Sequence, residues 1–372
     1  MSAAPASFAR EPFGTAPDGS AVERVTLHGA DGFAVSLISY GAAVQRLLVP
    51  DGEGRLADVV LGHDDLAGYI ESRDFFGATI GRVANRIAGG RFMLNGRTIR
   101  VEPNDGPNAL HGGGVGFDRY VWDIAETEEG ASPAVTFRRR SPDGEEGFPG
   151  NLDVAVTYRV SDGFDLEIEF TARTDMPTVV NLTNHSFFNL GGGENLVPVY
   201  DHELRIAAEH YSPVDSRAIP KRGAPEPVEG TPFDFREAAP IGALIRFDHP
   251  QLNKPARGYD HNFVLANDAR DVPAFAARVR DSRSGRVMEL WTDRPGLQFY
   301  SGNFLDGSVR GKNGRAYRQA DAFCLEPQDW PDAPNRPDFP SVLLDPGQTY
   351  RHRSLLRFFS AAPAASRDTR KP

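Results

Sequence analysis

Alternation of apolar and polar residues with a period of two is the feature that most constrains the fold of this chain. The run Leu152–Val160 places an apolar side chain at every second position, with mostly polar residues between them. The run Phe164–Phe170 repeats the pattern after the turn residues Ser161-Asp162-Gly163. Two alternating runs joined by an Asp-Gly turn predict a β-hairpin.

The same pattern predicts further strands along most of the chain. Two more hairpins are expected at Arg91–Val101, around Asn95-Gly96, and at Ala274–Thr292, around Ser284-Gly285. Other strands are predicted within Ala34–Val49, Ala134–Arg140, His202–Ala207, Asn262–Ala266, Ala320–Leu325 and Tyr350–Phe358.

Helical periodicity is scarce in comparison. It predicts short helices over Asp64–Ile70, capped by an aspartate, and over Arg236–Ile245, which Pro240 interrupts. With no linker rich in Gly, Pro or Ser, the pattern predicts an all-β fold of two large packed antiparallel sheets with few short helices. We expect one domain over residues 1–360 and a disordered tail over residues 361–372.

Composition excludes several classes of protein. The 372 residues carry a formal net charge of −10 without a basic block, which argues against nucleic acid and strongly anionic ligands. No apolar run approaches the roughly 18 residues of a membrane helix, and the first residues lack the apolar core of a signal peptide. The single cysteine, Cys324, cannot form an internal disulfide and fits a reducing compartment. The sequence therefore predicts a cytoplasmic protein.

Residues 181–192, Asn-Leu-Thr-Asn-His-Ser-Phe-Phe-Asn-Leu-Gly-Gly, surround His185 with amide side chains. Buried strands rarely carry so many polar side chains, because each needs a hydrogen-bond partner. A glycine-rich turn follows, so the segment resembles the lip of a polar pocket, and a histidine there can exchange protons near neutral pH. The alternative is a structural histidine bonded to Asn181 or Asn184.

Two further segments offer polar groups before the middle of the chain. Gly81–Ile87 contains Arg82, Asn85 and Arg86, and arginine donors suit sugar hydroxyls as well as carboxylates. His111 ends a loop rich in Asn, Asp, Gly and Pro and precedes three glycines that let another group approach closely. Exposed arginines and a loop-bonding histidine are the structural alternatives.

Three candidates lie in the C-terminal half. Asp260 begins a strand, Gln298 interrupts a largely apolar strand, and Glu326 ends the apolar run that Phe323 begins. Partial desolvation raises the proton affinity of a carboxylate at the end of a buried strand, which suits a general base. Solvated turn or strand-end residues are the alternative for both acids.

Some kinds of site find no support in the sequence. HExxH, CxxC and clustered His/Cys spacings are absent, so no metal site is predicted. Phosphate-binding glycine loops and the GxSxG nucleophile elbow are absent as well.

Six segments in order, from about residue 20 to residue 358, closely resemble the aldose 1-epimerase (galactose mutarotase) family. They are GRVANRIAGGRFMLNG, NDGPNALHGG, NLTNHSFFNLGG, GYDHNF, LQFYSGNFLDG and FCLEPQDWPDAPNRPDFPSVLLDPGQTY. The resemblance implies a large β-sandwich of the galactose mutarotase type. It also implies interconversion of the α and β anomers of free aldohexoses such as glucose and galactose.

The resemblance also implies roles for individual residues. Glu326 and His185 fall on the catalytic positions, and sugar binding falls on Asn85, Arg86, His111, Asp260 and Gln298. Arg82 is left as an indirect contributor. Phe187 stands where many members of the family have tyrosine, so a hydroxyl contact is lost there.

The chemistry implied needs one base and one acid on different sides of the sugar ring, without metal, cofactor or covalent intermediate. Glu326 is assigned as the base and protonated His185 as the acid, with His111 and Arg86 stabilising charge on the ring oxygen. Trp330 is a candidate to stack on the sugar, or a core residue. A monosaccharide is the expected partner of a monomer or weak homodimer, without nucleic acid or membrane.

Three other functions remain open from the sequence. A non-catalytic sugar-binding protein can use the same polar cleft. A glycoside hydrolase needs two flanking carboxylates, for which Asp260 and Glu326 are the obvious pair. An epimerase of phosphorylated sugars needs additional cations beyond Arg86, and a pentose is an alternative substrate.

Overall fold

The structure is a computed structural model that describes residues 8–161, 163–193, 196–223, 225–253 and 256–361. The strands in chain order are β1 Phe8–Thr15, β2 Ala21–His28, β3 Ala34–Ile38, β4 Ala43–Pro50, β5 Leu56–Asp58, β6 Thr79–Ile80, β7 Arg86–Ile87, β8 Arg91–Leu94, β9 Arg97–Arg100, β10 Ala109–Leu110, β11 Asp123–Glu128, β12 Ala134–Ser141, β13 Leu152–Ser161, β14 Phe164–Thr174, β15 Thr178–Val179, β16 Thr183–Asn184, β17 Glu203–Ile206, β18 His210–Tyr211, β19 Glu226–Pro227, β20 Ala239–Pro240, β21 Asp260–Val264, β22 Ala274–Arg280, β23 Arg286–Thr292, β24 Gly296–Tyr300, β25 Asp306–Arg310, β26 Ala316–Arg318, β27 Cys324–Gln328, β28 Leu343–Leu344 and β29 Tyr350–Ser360. The α-helices are α1 Leu66–Glu71 and α2 Pro250–Asn253.

Most strands belong to three sheets with antiparallel pairing. The nine-stranded sheet has the order β11-β12-β13-β14-β29-β23-β22-β17-β20. The N-terminal sheet has the order β1-β2-β3-β4-β5, and a third sheet, the site sheet, has the order β19-β18-β21-β24-β27. Five separate strand pairs, β6–β16, β7–β10, β8–β9, β15–β28 and β25–β26, complete the described chain.

The three sheets share one hydrophobic core. It includes Val25 from the N-terminal sheet, Val156 from the nine-stranded sheet and Phe299 from the site sheet, all fully buried. The all-β sandwich predicted from the alternation is confirmed, although three sheets replace the two expected.

The shared core supports a single domain over residues 1–360, which stays a prediction. The predicted disordered tail lies outside the described residues, except for Ala361.

The predicted hairpins are present. In β13 the residues from Leu152 onward alternate between buried and more exposed positions, as the sequence pattern predicts. β13 pairs with β14 over ten residue pairs, from Leu152 opposite Thr174 to Ser161 opposite Asp165. The hairpins β8–β9 and β22–β23 are also formed. Asn95 and Gly96 both have positive φ values, 50° and 76°, which suits the tight turn between β8 and β9.

Two predictions about local structure need correction. The helix predicted over Arg236–Ile245 is wrong: this segment contains β20 and turns, since proline removes a helical hydrogen bond. The strand predicted over Ala320–Leu325 lies further on, at β27. The other helix is confirmed as α1, and the Asp65 side chain caps it by accepting a hydrogen bond from the Gly68 N–H. In the described chain, neither helix has the length and apolarity needed to cross a lipid bilayer.

Tyr158 connects the nine-stranded sheet to the segment that carries His185. Its side chain is buried, and its hydroxyl donates to the Ala42 carbonyl at 2.8 Å. The same hydroxyl accepts a hydrogen bond from Asn184 Nδ2 at 3.2 Å. A single hydroxyl therefore bonds both to the loop before β4 and to the residue that precedes His185.

We expect Tyr158→Phe to lower the free energy of unfolding by about 1–2 kcal/mol, because a buried hydrogen-bonding group is lost and its partners lose contacts. Urea denaturation monitored by fluorescence measures the change. Tyr200→Phe is the matched control, since no hydrogen bond of the Tyr200 hydroxyl occurs in the described residues, and it should change stability by less than about 0.5 kcal/mol. Equal effects of the two substitutions would contradict the linking role of Tyr158.

Candidate active site

One cavity of about 170 Å³ contains all seven predicted site residues in its lining. The lining residues that the sequence predicted are Asn85, Arg86, His111, His185, Asp260, Gln298 and Glu326. The remaining lining residues are Arg73, Asp74, Phe75, Leu110, Phe187, Tyr300, Phe304 and Leu305. The cavity therefore combines titratable groups with aromatic walls.

Three adjacent strands of the site sheet supply Asp260, Gln298 and Glu326. Gln298 on β24 lies directly opposite Glu326 on β27, so the two side chains share one face of the sheet. Asp260 on β21 lies diagonally across from Gln298, whose Nε2 donates to the Asp260 carboxylate at 2.6 Å. The antiparallel register thus brings residues that are far apart in sequence to one polar patch.

The strand pair β7–β10 and the residues beside it supply Asn85, Arg86 and His111 to the cavity. Arg86 pairs with Leu110, and this pairing places Asn85 beside His111. The Asn85 N–H donates to His111 Nδ1 at 3.2 Å, while the His111 N–H donates to the Asn85 carbonyl at 3.0 Å. The Arg86 guanidinium donates through Nε to Asp105 at 2.6 Å.

The amides around His185 hold the backbone rather than the imidazole. Asn181 exchanges two hydrogen bonds with the backbone of Asp329, at 3.1 and 2.9 Å. Asn184 Nδ2 donates to the Gly77 carbonyl at 2.8 Å. The structural alternative, a histidine bonded to Asn181 or Asn184, is therefore not what the structure contains, because both amides have backbone partners. They fix the segment that presents His185 to the cavity.

The His185 ring is held between two phenyl rings. Phe187 stacks on it with a centroid distance of 5.0 Å, and Phe75 stacks at 5.7 Å. His185 Nε2 lies 3.6 Å from Glu326 Oε1, and both side chains are almost fully buried. One acidic and one basic group are thus adjacent in a largely apolar setting.

Burial changes the proton affinities of these groups. It lowers the pKa of His185 to about 4. Burial, together with the negative charge of Asp260, raises the pKa of Glu326 well above its usual range, although Arg86 opposes this. Burial therefore favours the uncharged form of each group, a protonated carboxyl beside a neutral imidazole, over the ion pair.

His111 is suited to donate a hydrogen bond into the cavity. Burial lowers its pKa well below the usual value, and His185 and Arg86 lower it further. Because the Asn85 N–H occupies Nδ1, neutral His111 carries its proton on Nε2. The imidazole is therefore a neutral, directed N–H donor.

His111, His185 and Glu326 can also be considered as metal ligands, since one potential ligand atom of each lies within 4.8 Å of the others. A metal-binding histidine usually donates its second ring N–H to an acceptor. At His111 that nitrogen instead accepts from the Asn85 N–H, which leaves a protonated nitrogen toward the cavity. The hydrogen bond from the Asn85 N–H to His111 therefore favours a role in hydrogen bonding over metal coordination.

Three lining residues have left-handed backbone conformations. The φ angles are 60° for Phe75, 61° for Asn85 and 52° for His111. Such conformations cost energy in residues other than glycine and often occur at functional sites. In this protein they turn the chain so that three side chains from three connecting segments line one cavity.

Arg82 and Trp330, considered from the sequence, lie outside the cavity lining. The buried Arg82 guanidinium donates to Ser141 and to the carbonyls of Pro142 and Pro149, so it holds a loop together. Trp330 donates to the Pro295 carbonyl and packs against Phe339. Trp330 is thus a core residue and not a stacking surface.

Among the aromatic residues of the lining, Phe187 was considered from the sequence, whereas Phe75, Tyr300 and Phe304 were missed. Tyr300 could have been found, because it is two residues from Gln298 on the same strand and so shares its face. Arg73, Asp74 and Phe75 follow α1 in a connection without a periodic pattern. No local signal indicates that this connection reaches the cavity.

Comparisons with known proteins identify the family of this chain. The family described as aldose 1-epimerase matches residues 23–357. The chain is 46% identical over 353 residues to a galactose mutarotase of Rattus norvegicus, covering 95% of this chain and 98% of the relative. It is 37% identical to an aldose 1-epimerase of Escherichia coli, covering 93% and 97% of the two chains.

A solved structure supports the fold. An aldose epimerase homologue from C. elegans superimposes with a TM-score of 0.82 at 31% sequence identity. The match covers 91% of this chain and 99% of the other. The sandwich is therefore of the galactose mutarotase type.

The coupling between Asp260 and Glu326 leads to a prediction. Asp260→Asn removes a negative charge that raises the pKa of Glu326, so we expect that pKa to fall. A ¹³C NMR titration of the labelled Glu326 side-chain carboxyl measures it directly. Asp153→Asn, on the exposed side of β13, is the control and should leave the titration unchanged. An unchanged or higher Glu326 pKa in Asp260→Asn would contradict the coupling.

Proposed function

This chain belongs to the aldose 1-epimerase family, and we propose that Glu326 and His185 interconvert the α and β anomers of free aldohexoses such as glucose and galactose by acid–base chemistry. The protein is an isomerase with mutarotase function, and its substrate is a monosaccharide. The observation that carries the proposed mechanism is the 3.6 Å separation of Glu326 Oε1 and His185 Nε2 inside a single cavity.

The adjacency of the two groups suits the reaction. Both oxygens that exchange protons, the anomeric hydroxyl and the ring oxygen, are bonded to the anomeric carbon, so acid and base can lie side by side. We therefore propose an adjacent acid and base in place of groups on different sides of the ring. Glu326 removes the proton of the anomeric hydroxyl while His185 protonates the ring oxygen, and the ring bond breaks to give the aldehyde.

The rest of the cycle follows from the same two groups. Rotation about the bond beside the aldehyde presents its other face, and the reverse proton transfers close the ring. In the open-chain state Glu326 carries a proton and His185 is neutral. Burial favours this same distribution in the free cavity.

The lowered pKa of His185 and the raised pKa of Glu326 increase the driving force for both proton transfers to and from the sugar. An imidazolium with a pKa of about 4 is a stronger acid than a free one. A carboxylate whose pKa is raised by burial is a stronger base. The same burial disfavours the charged pair in the free protein, so the proton reaches His185 from Glu326.

The other polar residues are proposed to hold the sugar. Asn85, Asp260 and Gln298 can hydrogen-bond to hydroxyls, and the Gln298 Oε1 and Glu326 Oε2 atoms are buried without partners in the described residues. His111 and Arg86 are placed to stabilise charge on the ring oxygen. The aromatic walls, including Phe187 and Tyr300, exclude water from the reacting centre.

The charges of the lining favour an uncharged sugar over a phosphorylated one. Arg73 is already engaged with the carbonyls of Gly113 and Gly114, and Arg86 is engaged with Asp105. Asp74 and Asp260 add carboxylates to the lining, and a carboxylate repels a phosphate. Free glucose and galactose are therefore the first substrates to test, with arabinose as the pentose alternative.

The pH dependence of turnover tests the shared proton. The active pair holds one proton, so we expect the rate to fall below about pH 4, where His185 takes a second proton, and again above the raised pKa of Glu326. Polarimetric rates corrected for the spontaneous reaction give the profile. A loss of activity on acidification that is already centred near pH 6.5, the usual histidine value, would contradict the lowered pKa of His185 in this buried pair.

Replacement of the base gives the second test. Glu326→Gln keeps the shape of the side chain but cannot accept the proton, so we expect turnover to fall by roughly 10²–10⁴-fold while sugar binding persists. Polarimetry on fresh α-glucose, α-galactose and α-arabinose measures turnover, and isothermal calorimetry measures binding. Glu167→Gln, on an exposed position of β14, is the matched control and should retain full activity.

The same measurements separate the other functions. Wild-type protein that binds sugar but leaves its optical rotation at the spontaneous rate would be a binding protein. Release of a chromogenic aglycone that depends on both Asp260 and Glu326 would indicate a glycoside hydrolase. A loss below tenfold in Glu326→Gln would remove this residue from the role of base.

A further inference from the structure

Strand β27 contacts both nitrogens of the His185 imidazole. Cys324 and Glu326 are two residues apart on this strand, so their side chains point to the same face. The Cys324 sulfur lies 3.7 Å from His185 Nδ1, and Glu326 Oε1 lies 3.6 Å from Nε2. Two residues of β27 thus lie next to the two nitrogens of the His185 ring.

Three aromatic rings contact the imidazole of His185, and one of them, His111, lies roughly perpendicular to it at a centroid distance of 5.1 Å. Phe187 and Phe75 stack on His185 with interplanar angles of 29° and 30°. Among the described residues, the Cys324 thiol is the hydrogen-bond partner of Nδ1. The distribution of protons on the imidazole is therefore decided at its two nitrogens, between the thiol and the carboxyl group.

The two partners differ in strength. The buried thiol stays protonated, because burial raises the pKa of Cys324 well above its usual value. A thiol is a weak donor and its sulfur a weak acceptor, whereas a carboxylic acid is a strong donor. Glu326 Oε1 lies 3.6 Å from Nε2 and is the nearer source of a proton for the ring, so the arrangement that suits both neighbours leaves Nε2 unprotonated and places the ring proton on Nδ1.

We propose that Cys324 is a positioning residue whose sulfur accepts the Nδ1–H of His185, so that Nε2 is the nitrogen that exchanges protons with Glu326 and the sugar. The sulfur can accept this hydrogen bond when His185 is neutral and when it is charged. The proton of Glu326 moves to Nε2, which converts the neutral pair into carboxylate and imidazolium without any other group changing its protonation. The consequence for turnover rests on the proposed function.

Removal of the sulfur changes the preferred tautomer. In Cys324→Ala the Nδ1–H would lie in a buried site without an acceptor, which is unfavourable. The ring then favours the other tautomer, in which Nε2–H donates to Glu326 and cannot receive its proton. In Cys324→Ser the hydroxyl oxygen replaces the sulfur as acceptor, and the original tautomer is retained.

Two-dimensional NMR of ¹⁵N-histidine-labelled full-length protein, without sugar, tests the proposal directly. Wild type and Cys324→Ser should show a protonated Nδ1 and an unprotonated Nε2 at His185, whereas Cys324→Ala should show the reverse. The His185 signal is assigned by its loss in His185→Gln. A protonated Nε2 with an unprotonated Nδ1 in wild type overturns the proposal, even if the variants fail to fold.

Turnover gives the second readout. We expect Cys324→Ala to lower kcat about 3- to 10-fold with KM nearly unchanged, and Cys324→Ser to recover most of the loss. Equal losses in both variants, with the tautomer unchanged, would indicate a packing role and overturn the proposal. The tautomer is measured without substrate, so a wild type that does not epimerise sugars would refute the proposed function but leave this inference standing.

Discussion

The burial of Glu326 beside His185 is the constraint on which the rest of this site depends. In water the carboxyl group would lose its proton well before the imidazolium does, whereas the cavity favours an uncharged acid beside an uncharged imidazole. An ion pair that is unfavourable in the resting site is a strong base and a strong acid when a sugar oxygen is present. The fold must therefore keep both side chains dry and 3.6 Å apart.

The surrounding structure achieves this with bonds between backbone and buried side chains. Asn181 links the His185 segment to the residue that follows β27, and Tyr158 links Asn184 to the nine-stranded sheet. The antiparallel register of β24 and β27 places Gln298 directly opposite Glu326. The proposed acid and base thus lie on different segments. Hydrogen bonds join the His185 segment both to the residue after β27, the strand that carries Glu326, and to the nine-stranded sheet.

Sequence reasoning succeeded where a local signal exists. The hairpin of β13 and β14 follows from period-two alternation around a turn, and Glu326 stood out as a charged residue at the end of an apolar strand. The sequence does not predict which segments that are distant along the chain pair with one another. Nothing near β29 indicates that this last strand inserts between β14 and β23.

Within the site, the same limit separates what was found from what was missed. Polar residues in strands, such as Gln298, can be recognised because burial demands partners. Phe75 reaches the cavity only through a left-handed turn after α1, and Arg82 resembles a ligand-binding arginine in sequence but bonds to Ser141 and two carbonyls in the fold. These outcomes depend on tertiary contacts and not on local pattern.

The most direct test of the central claim is a double-mutant cycle on kcat with Glu326→Gln, His185→Gln and the two combined. If the carboxyl and the imidazole act as one proton-sharing pair, either substitution alone should cost nearly as much as both together, because each removes the function of the pair. Losses that multiply in the double mutant would show that the two groups act independently, and would contradict a shared proton as the basis of turnover.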